Sequence, residues 1–257
     1  MVNLYRPQAL IMNPMFNKPF LAIAAIIALC STMPAVAENA TEAKTLQPYS
    51  AQYQTTARGM ALKLNRKLEE NGDGSFTLTN GGKIMVVGFH EMSVFSTEGT
   101  AILPKSYVYQ GTGLINRRRE VHFTPGSDII RSLYKEQWYE LPYKEGTLDR
   151  MSQQEQVRLL LLNDPTPKED INITVADGKR IKDYQLRYVG EETLETPIGS
   201  LETLHFERVH DDPDRKSDTW VAPSLDYLMV KTVHVEDGKP VEAIITKAEV
   251  GSGKKAE

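Results

Sequence analysis

Short segments in which apolar and polar residues alternate recur along most of this sequence. In one of them Leu62, Leu64 and Leu68 face one way, and Lys63, Asn65 and Lys67 face the other. The same pattern occurs in Phe76 and Leu78, Tyr107 and Tyr109, Val121 and Phe123, and Tyr184, Leu186 and Tyr188. Because successive side chains of a β-strand point to opposite faces, this alternation predicts strands with one apolar and one wet face.

Turn-forming residues separate the alternating segments. Clusters of Gly, Pro, Asn and Asp lie at Asn71–Gly74, Asn80–Gly82, Thr124–Gly126, Asp177–Gly178, Pro197–Gly199 and Asp237–Gly238. Such residues favour tight hairpins, which join antiparallel neighbours. The sequence therefore predicts a mainly β protein with a single antiparallel, strongly curved sheet or open barrel, because one-faced strands must either close on themselves or be covered.

One segment near the middle of the chain has the pattern of a helix. Ser152 and Glu155 have the spacing of a capping box, in which two side chains satisfy backbone N–H groups at the helix start. Four leucines at 159–162 then lead to a stop at Asn163–Pro165. We expect one short central helix that is enclosed by protein at its leucine end. It either caps the open end of the sheet, which we favour, or plugs the interior of a curved sheet.

The N-terminal residues have the features of an export signal. Arg6 and Lys18 precede an apolar run, Phe20–Cys30, that is 11 residues long. A membrane-spanning helix needs about 20 apolar residues, so this run is too short to remain in the bilayer. Ala35–Ala37 presents small residues to a signal peptidase, which predicts a cleaved signal peptide at residues 1–37.

Cys30 is the single cysteine, and its fate determines whether the exported protein is tethered. Lipoprotein processing requires a small residue before the cysteine, and Leu29 occupies that position, so we favour removal of Cys30 over lipid anchoring. We therefore predict a periplasmic protein without an integral membrane span.

The remaining chain has no low-complexity linker that would divide it. We predict a flexible segment at 38–46, one β-rich domain at 47–250 and a disordered tail at 251–257. A boundary near residues 144–170, where the helix separates two groups of strands, is the alternative to a single domain.

Charge and motif content exclude several functions. Residues 1–37 contain two basic residues and no acidic one, so the chain after them has 28 basic and 34 acidic residues. This mild acidity argues against a nucleic-acid partner. The sequence contains no G-x-S-x-G or G-x-G-x-x-G motif, and removal of Cys30 excludes cysteine chemistry. We expect no cofactor and favour a protein that is not an enzyme.

Three polar clusters resemble ligand sites but have plainer explanations. Glu69–Asn80 resembles part of a calcium loop but lacks the final glutamate, so we interpret it as a hairpin turn. Adjacent turn residues rarely converge on one ion, so we interpret His210–Asp214 as a solvated loop. Arg117–Arg119 could meet lipid phosphates, but adjacent strand residues face opposite ways, and we interpret it as a charged strand edge. We expect no metal site.

Several segments from the helix onward match a known family pattern. They are Leu148–Ser152 with Val157–Leu159, Tyr184–Gly190, Thr196–Gly199, Leu204–Arg208, Trp220–Pro223, Tyr227–Leu228 and Lys231. On these residues the chain resembles an exported bacterial family known as domain of unknown function 3108 (DUF3108). The resemblance covers most of residues 49–250, with a local departure at Met229, where such families often have Pro. It implies an exported, β-rich protein with a curved sheet around a helix, as in lipoprotein carriers of the bacterial envelope, and it supplies no catalytic residues.

The expected function is a non-catalytic binding or carrier protein of the cell envelope. A curved sheet with an apolar concave face offers a cavity for an apolar or lipid-like ligand. The predicted ligand-binding residues are Leu62, Leu64, Tyr107, Tyr109, Leu160, Leu161, Tyr184, Leu186 and Tyr188. A plain core would use the same residues, so the sequence does not distinguish a full interior from a hollow one. An adaptor that binds another envelope protein and an exported hydrolase are the alternatives.

Overall fold

One β-sheet and one α-helix account for the described part of the chain. A computed structural model describes residues 43–257 except for 58–59, 115, 167–168, 237, 252–253 and 256–257. The predicted signal peptide at 1–37 and Asp237 of one predicted turn therefore lie outside the described residues. The strands are β1 (Tyr49–Ala57), β2 (Met60–Glu70), β3 (Phe76–Ile84), β4 (Val87–Glu98), β5 (Ala101–Gly113), β6 (Arg118–Phe123), β7 (Ile129–Tyr134), β8 (Gln137–Pro142), β9 (Thr147–Leu148), β10 (Ile171–Asp177), β11 (Arg180–Thr196), β12 (Gly199–Arg208), β13 (Lys216–Ala222), β14 (Leu228–Glu236), β15 (Lys239–Val250) and β16 (Lys254–Lys255). The helix α1 comprises Ser152–Asn163, and a short 3₁₀ helix comprises Pro223–Leu225.

Two runs of antiparallel hairpins build the sheet. Strands β1 to β8 follow one another across it, as do β10 to β15, and β1 joins the two runs by pairing with β15. The short strand β9 pairs with β10 in parallel, so the expectation of a purely antiparallel sheet is wrong at this place. A parallel pair requires a long crossover connection, and α1 supplies it between β9 and β10. The sheet is otherwise the mainly β architecture that the alternation predicts.

The sheet is curved but not closed. Ser132 Oγ on β7 donates a hydrogen bond of 2.6 Å to the carbonyl oxygen of Gly178, between β10 and β11, so the two runs approach each other across an interior. Within the described residues, β8 and β9 are the outermost strands of the ladder, and they do not pair with each other. The structure is therefore an open, barrel-like sheet.

Burial along the strands follows the predicted alternation, with one misplaced turn. Leu68, Phe76 and Leu78 are buried. Gly81 and Gly82 lie within β3, however, and not in a turn as expected. A Cβ atom on Gly82 would lie 2.8 Å from the carbonyl oxygen of Lys63, so glycine here permits close approach of two strands.

The helix begins at Ser152 as expected, but its capping box lies three residues earlier than predicted. Asp149 Oδ1 accepts hydrogen bonds from the backbone N–H groups of Met151 and Ser152 at 2.7 and 3.0 Å. Ser152 Oγ accepts one from the N–H of Asp149 at 3.0 Å, which completes the reciprocal pattern. Glu155, which the predicted box assigned to capping, points into the interior instead.

The helix lies across one end of the curved sheet. The side chain of Gln156 accepts a hydrogen bond from the N–H of Ile102 at 2.8 Å and donates one to the carbonyl of Thr100 at 2.7 Å. Arg158 Nε donates to the carbonyl of Asp226 at 2.9 Å. Leu159, Leu161 and Leu162 are buried. These contacts hold the middle of the helix against the turns at 99–100 and 223–227.

The two ends of the sheet differ in whether α1 lies over them. The covered end, where α1 lies, contains the turns at 71–75, 99–100, 124–128, 197–198 and 223–227. The open end contains the turns at 85–86, 114–117, 135–136, 178–179 and 209–215. Because hairpin turns alternate between the two ends of a meander, the open-end turns belong to neighbouring hairpins.

The predicted flanking segments make contacts where they are described. From the segment 38–46, Leu46 is buried, and the N–H of Lys44 donates to Asn163 Oδ1 at 2.9 Å. From the tail 251–257, the two residues of β16 pair with β15.

Candidate functional site

An interior cleft runs between α1 and the strands β10 to β14. Its inner compartment has a volume of about 180 Å³. Apolar side chains supply much of the inner wall, among them Ile173, Leu186, Phe206, Val221 and Leu228. Its outer compartment, of about 500 Å³, is lined mainly by polar side chains. Arg66, Gln153, Gln154 and Arg208 line both compartments, so the two are continuous.

Strand alternation sets the lining of this cleft. Phe206 and Arg208 share the inward face of β12, and Thr219 and Val221 share that of β13. Arg208 is the last residue of β12 and lies on the side of the open end. The apolar wall therefore ends at a cation, and the outer compartment continues from it toward the loop at 209–215.

A buried ion cluster closes the cleft beneath the helix. Glu155 Oε1 accepts hydrogen bonds from Tyr49 OH at 2.7 Å and from Arg66 Nη2 at 3.2 Å. Glu155 Oε2 accepts one from Arg158 Nη1 at 3.3 Å. Arg66 Nε in turn donates to the hydroxyl oxygen of Tyr49 at 2.7 Å. Two cations thus share one carboxylate, with each charge hydrogen-bonded as burial requires.

The titration of this cluster follows from its burial. Desolvation raises the pKa of Tyr49 well above its usual value, although nearby Arg66 opposes the shift. Burial alone would lower the pKa of Arg66, but the neighbouring Tyr49 and Glu155 outweigh it and raise that pKa. The tyrosine is therefore neutral and the arginine charged at physiological pH, which suits a structural network.

Arg208 differs from the arginines of this cluster. Its Nε is buried and has no hydrogen-bond partner among the described residues. Its guanidinium lies 3.4 Å from the centre of the Tyr184 ring, a cation–π contact that holds the group in place. A buried donor without an acceptor is unfavourable, and such a group in a native fold calls for an explanation. An anionic group in the cleft would supply the missing acceptor.

The outer compartment has an excess of positive charge. Its lining includes the cationic residues Arg66, Arg150, Lys182, Arg208 and Arg215 and the two carboxylates Glu91 and Asp177. Asp177 is engaged by two of the cations, since it accepts from Arg150 Nη1 at 3.3 Å and from Lys182 Nζ. These contacts lower the pKa of Asp177 although burial opposes them. Arg66 and Arg215 are paired with Glu155 and Asp212 outside this lining, so among the described residues Arg208 is the cation of the outer compartment that has no ion-pair partner.

A hydroxyl between two imidazoles lies beside the outer compartment. Ser217 Oγ is 2.7 Å from His234 Nδ1 and 3.0 Å from His210 Nε2. Desolvation lowers the pKa of His210, and the charges of Arg208 and His234 lower it further. Neutral imidazole can accept a proton from a hydroxyl, so this group of three residues has the elements of a nucleophile and a base.

The structure divides the predicted ligand residues among three places. Tyr184 and Leu186 line the cleft. Leu62 and Tyr109 line a separate apolar groove at the open end. Four others pack in or against the core: Leu64, Tyr107, Leu161 and Tyr188. Leu160 is half-buried on α1. Tyr107 also donates from its hydroxyl to Glu91 Oε1 at 2.8 Å.

The charged residues of the cleft were not among the predicted ligand-binding residues. Arg66 lies in the same alternating series as Leu64 and Leu68, so period-two spacing already placed it on the inward face. Arg208 stands in the same relation to Leu204 and Phe206. An arginine in the apolar register of a strand was the signal that could have identified both.

The polar clusters of the sequence behave as structural elements. The stretch Glu69–Asn80 forms the hairpin between β2 and β3, where Asp73 Oδ1 accepts from the N–H of Ser75 at 3.0 Å. The His210–Asp214 stretch lies in the loop between β12 and β13. Among the described residues, the structure contains no group of three or more His, Cys, Asp or Glu residues that could hold a metal ion. No helix in the described ranges is long and apolar enough to cross a bilayer.

Comparison with solved structures shows a fold similar to that of one barrel-like β protein. A β-barrel-like protein of domain of unknown function DUF1849 from Brucella abortus has a TM-score of 0.52 at 8% identity, covering 80% of this chain and 99% of that one. A protein described as exported, with a YmcC-like fold, from Bacteroides fragilis has a TM-score of 0.33 at 10% identity, covering 80% and 97%. One described as a lipoprotein, from Parabacteroides distasonis, has 0.31 at 8%, covering 80% and 96%.

The sequence identifies the family within this class. The pattern of DUF3108, a protein family of unknown function, matches residues 73–243, and the chain belongs to that family. This confirms the resemblance that the sequence segments indicated. Among curated proteins, none has a significant match to this chain.

Proposed function

We propose that this protein is a binding or carrier protein of the bacterial envelope whose ligand is an amphiphile with an anionic head. The observation that carries the proposal is the cleft, in which an apolar inner compartment opens into an outer one beside the unpartnered Nε of Arg208. A ligand with an apolar segment and a phosphate or carboxylate would match the inner and the outer compartment, respectively.

The two volumes limit the size of the ligand. The inner compartment of about 180 Å³ has room for about six groups the size of a water molecule, at roughly 30 Å³ each. It would therefore take a short apolar segment and not a complete acyl chain. The outer compartment of about 500 Å³ lies within the range of roughly 300–1,000 Å³ that is typical of small-ligand sites.

Arginine is the appropriate residue for such a head group. The planar guanidinium donates in a fixed fork that matches the oxygens of a carboxylate or phosphate. Arg208 is positioned by Tyr184 and is not neutralised by a carboxylate among the described residues. The proposed role of Arg208 is to bind the head group, while Arg66 remains held by Glu155.

The proposed location is the periplasm. Its support is the sequence pattern of a charged region, a short apolar run and the small residues Ala35–Ala37. A carrier or binding protein of the envelope would meet anionic amphiphiles there.

Native mass spectrometry with lipid extraction tests the proposal on protein purified from its own periplasm. We expect a bound anionic amphiphile on the wild-type protein and its loss from Arg208→Gln. Thr219→Leu, which fills the inner compartment, should also lower occupancy. The matched control is Arg187→Gln, which removes a cation from the exposed face of β11 and should retain the ligand.

The same experiment can overturn the proposal. Since no carboxylate of the described part of the chain pairs with Arg208, Arg208→Gln should unfold at an unchanged or slightly higher urea concentration, which separates binding from folding. Retention of the ligand by Arg208→Gln would contradict the assigned site. A clean apo mass without any thermal shift from anionic or zwitterionic envelope lipids, together with a partner protein recovered by cross-linking, would favour an adaptor.

An exported hydrolase is the second candidate, and Ser217 between His210 and His234 is the observation that favours it. A fluorophosphonate probe that forms a covalent bond to a catalytic serine provides the test. Labelling of the wild-type protein that disappears in both Ser217→Ala and His234→Gln would support the hydrolase. An unlabelled protein would exclude Ser217 as an activated nucleophile.

A further inference from the structure

The open end of the sheet exposes apolar side chains on neighbouring hairpin tips. Met85, Val86 and Leu114 are 78%, 62% and 82% exposed, and Met60 beside them is 44% exposed. These four residues, here called the tip patch, surround a groove of about 520 Å³. The base of the groove includes Leu62, Phe89 and Tyr109. A contiguous exposed apolar surface of this kind usually marks an interaction site.

The tip at Met85–Val86 does not have the residues that its turn geometry favours. Ile84 pairs with Val87, so the hairpin has a two-residue loop. Met85 has a φ of 51°, a left-handed conformation for which turns of this length prefer Gly, Asn or Asp. Instead the loop presents two apolar side chains to solvent. Backbone strain combined with apolar exposure indicates that the side chains serve a function outside the fold.

The tips are held together rigidly. Gly113, at the end of β5, lies so close to the β3–β4 turn that a Cβ atom on it would be 1.6 Å from the carbonyl oxygen of Val86. Behind this contact the rings of Phe89 and Tyr109 stack with their centres 6.0 Å apart. Leu114 is therefore fixed beside Met85 and Val86, and the tip patch is a preformed surface.

A basic groove adjoins the tip patch. It has a volume of about 630 Å³ and lies between the β5–β6 and β7–β8 turns. Its charged residues are Arg117, Arg118, Arg119 and Lys135 against a single carboxylate, Glu136. The guanidinium of Arg119 lies 5.9 Å from the Tyr109 ring centre, so the basic groove and the base of the apolar groove are in contact. Lys83, next to the Met85 turn, is exposed as well.

We propose that the tip patch and the basic groove together dock the protein on the surface of a bilayer that contains anionic lipid. Met85, Val86 and Leu114 would enter the interface between head groups and acyl chains, and the basic groove would lie on the lipid phosphates. Exposed apolar side chains flanked by cations are the combination that binds proteins to anionic membrane surfaces. A protein partner would not require cations at the rim of each apolar tip, so charge complementarity favours the bilayer.

This docking surface lies outside the interior cleft and does not depend on it. The loop at 209–215, beside the outer compartment, belongs to the same open end as the tip patch. Docking would thus bring the mouth of the cleft toward the membrane. If the cleft carries an amphiphile, the ligand would have a short path between bilayer and protein.

Vesicle co-sedimentation of the exported protein tests the inference. The probes are vesicles of phosphatidylcholine alone and of phosphatidylcholine mixed with phosphatidylglycerol. We expect binding to the mixed vesicles that weakens as salt is added. The double variant Met85→Gly with Val86→Ser places glycine at the loop position that has positive φ, so it should fold at least as well while binding more than about tenfold more weakly. Arg117→Gln with Lys135→Gln should weaken binding about tenfold on mixed vesicles only.

A matched control comes from the other end of the sheet. Ile129 is an exposed apolar residue at the covered end, and Ile129→Ser should leave vesicle binding unchanged. Equal binding by wild type and the Met85 and Val86 double variant would overturn the proposal. So would self-association or capture of a partner protein that depends on the tip patch in the absence of any vesicle binding. Loss of the cleft ligand in Arg208→Gln has no bearing on this outcome, so the two proposals fail separately.

Discussion

The covered and open ends of the sheet differ in how their charged side chains are paired and in how their apolar side chains are buried. Beneath α1, Arg66 and Arg158 are buried, and each is paired with Glu155. At the mouth of the cleft, Arg208 has a buried nitrogen for which the described residues supply no acceptor. Leu159, Leu161 and Leu162 of α1 are buried, whereas Met85 and Leu114 on the opposite tips are among the most exposed apolar side chains described.

The difference separates stability from binding in space. The covered end satisfies its polar groups from within the chain, so changes there should act on folding. The open end leaves a donor and an apolar surface without partners, so changes there should act on what the protein binds. The following experiments test this comparison in order of expected effect.

The largest effect is expected from Glu155→Ala, which leaves Arg66 and Arg158 buried without their shared carboxylate. Breaking a buried ion pair by removal of one partner typically costs about 3–5 kcal/mol of unfolding free energy. Urea denaturation gives the measurement. Gln154→Ala, at an exposed neighbouring position on the helix, is the control and should change stability by less than about 0.5 kcal/mol. A cost below about 1 kcal/mol for Glu155→Ala would break the comparison.

A smaller effect is expected at Asp149, which caps the helix and also accepts from Ser93 Oγ at 2.7 Å. Asp149→Ala removes the cap and should cost about 1–3 kcal/mol. Asp149→Asn retains an acceptor for the helix N–H groups and should be close to neutral. Thermal or urea unfolding distinguishes the two variants, and equal losses in both would show that the carboxylate charge, and not the cap, is what the site requires.

The pH dependence of the same pair sharpens the test. Burial raises the pKa of Asp149 above its ordinary value of 3.8, although hydrogen bonds from Ser152 and Ser93 oppose the shift. The folded state therefore binds the proton more tightly than the unfolded state. Its contribution to stability declines as pH rises from about 3.8 through the raised pKa. Asp149→Asn should remove this decline, which urea midpoints measured across acidic pH would reveal.

The smallest effect is expected from His210 at the open end. Desolvation, followed by the charge of Arg208, lowers the pKa of His210 below 6.5. The unfolded state then binds more protons than the folded state, so stability is lost as pH falls below about 6.5. His210→Gln should flatten the unfolding midpoint between neutral and mildly acidic pH. An identical pH profile in the variant would show that the mouth of the cleft does not disfavour a charged imidazole.

Most of the fold could be predicted because its determinants are local. The alternation correctly predicted that Leu68 and Leu78 are buried. The leucine-rich segment with polar residues at its start correctly predicted the helix. The predictions were wrong where contacts between residues distant in sequence determine the local structure. Gly82 packs against β2 instead of turning, because the Lys63 carbonyl is close to it. Asp149 and Ser152 form the capping box, since Glu155 instead accepts a hydrogen bond from Arg66 on the distant strand β2.

The candidate site was predicted only in its apolar part. Tyr184 and Leu186, two of the predicted ligand-binding residues, line the cleft, but the charges that distinguish the cleft from a core were omitted. Arg66 occupied an inward register, and its significance depended on Glu155, which is far away in the sequence. An arginine is rarely buried unless it is paired. Because the partner of Arg66 is not visible in the spacing of its strand, the alternation predicted only the leucines as interior residues. The tip patch likewise requires three hairpins to meet at one end.

The pairing of β1 with β15 has a consequence for how the chain folds. Tyr49 faces Val250 across this ladder, whereas almost every other strand pairs with its neighbour in sequence. Hairpins can form early and independently, but the contact that unites the two runs closes a very long loop and is entropically slow. Until β15 arrives, β1 and β14 each present an unpaired edge that another chain could occupy. A chain synthesised from its N-terminus completes this sheet in one late step, so the last strands influence both its folding rate and its tendency to aggregate.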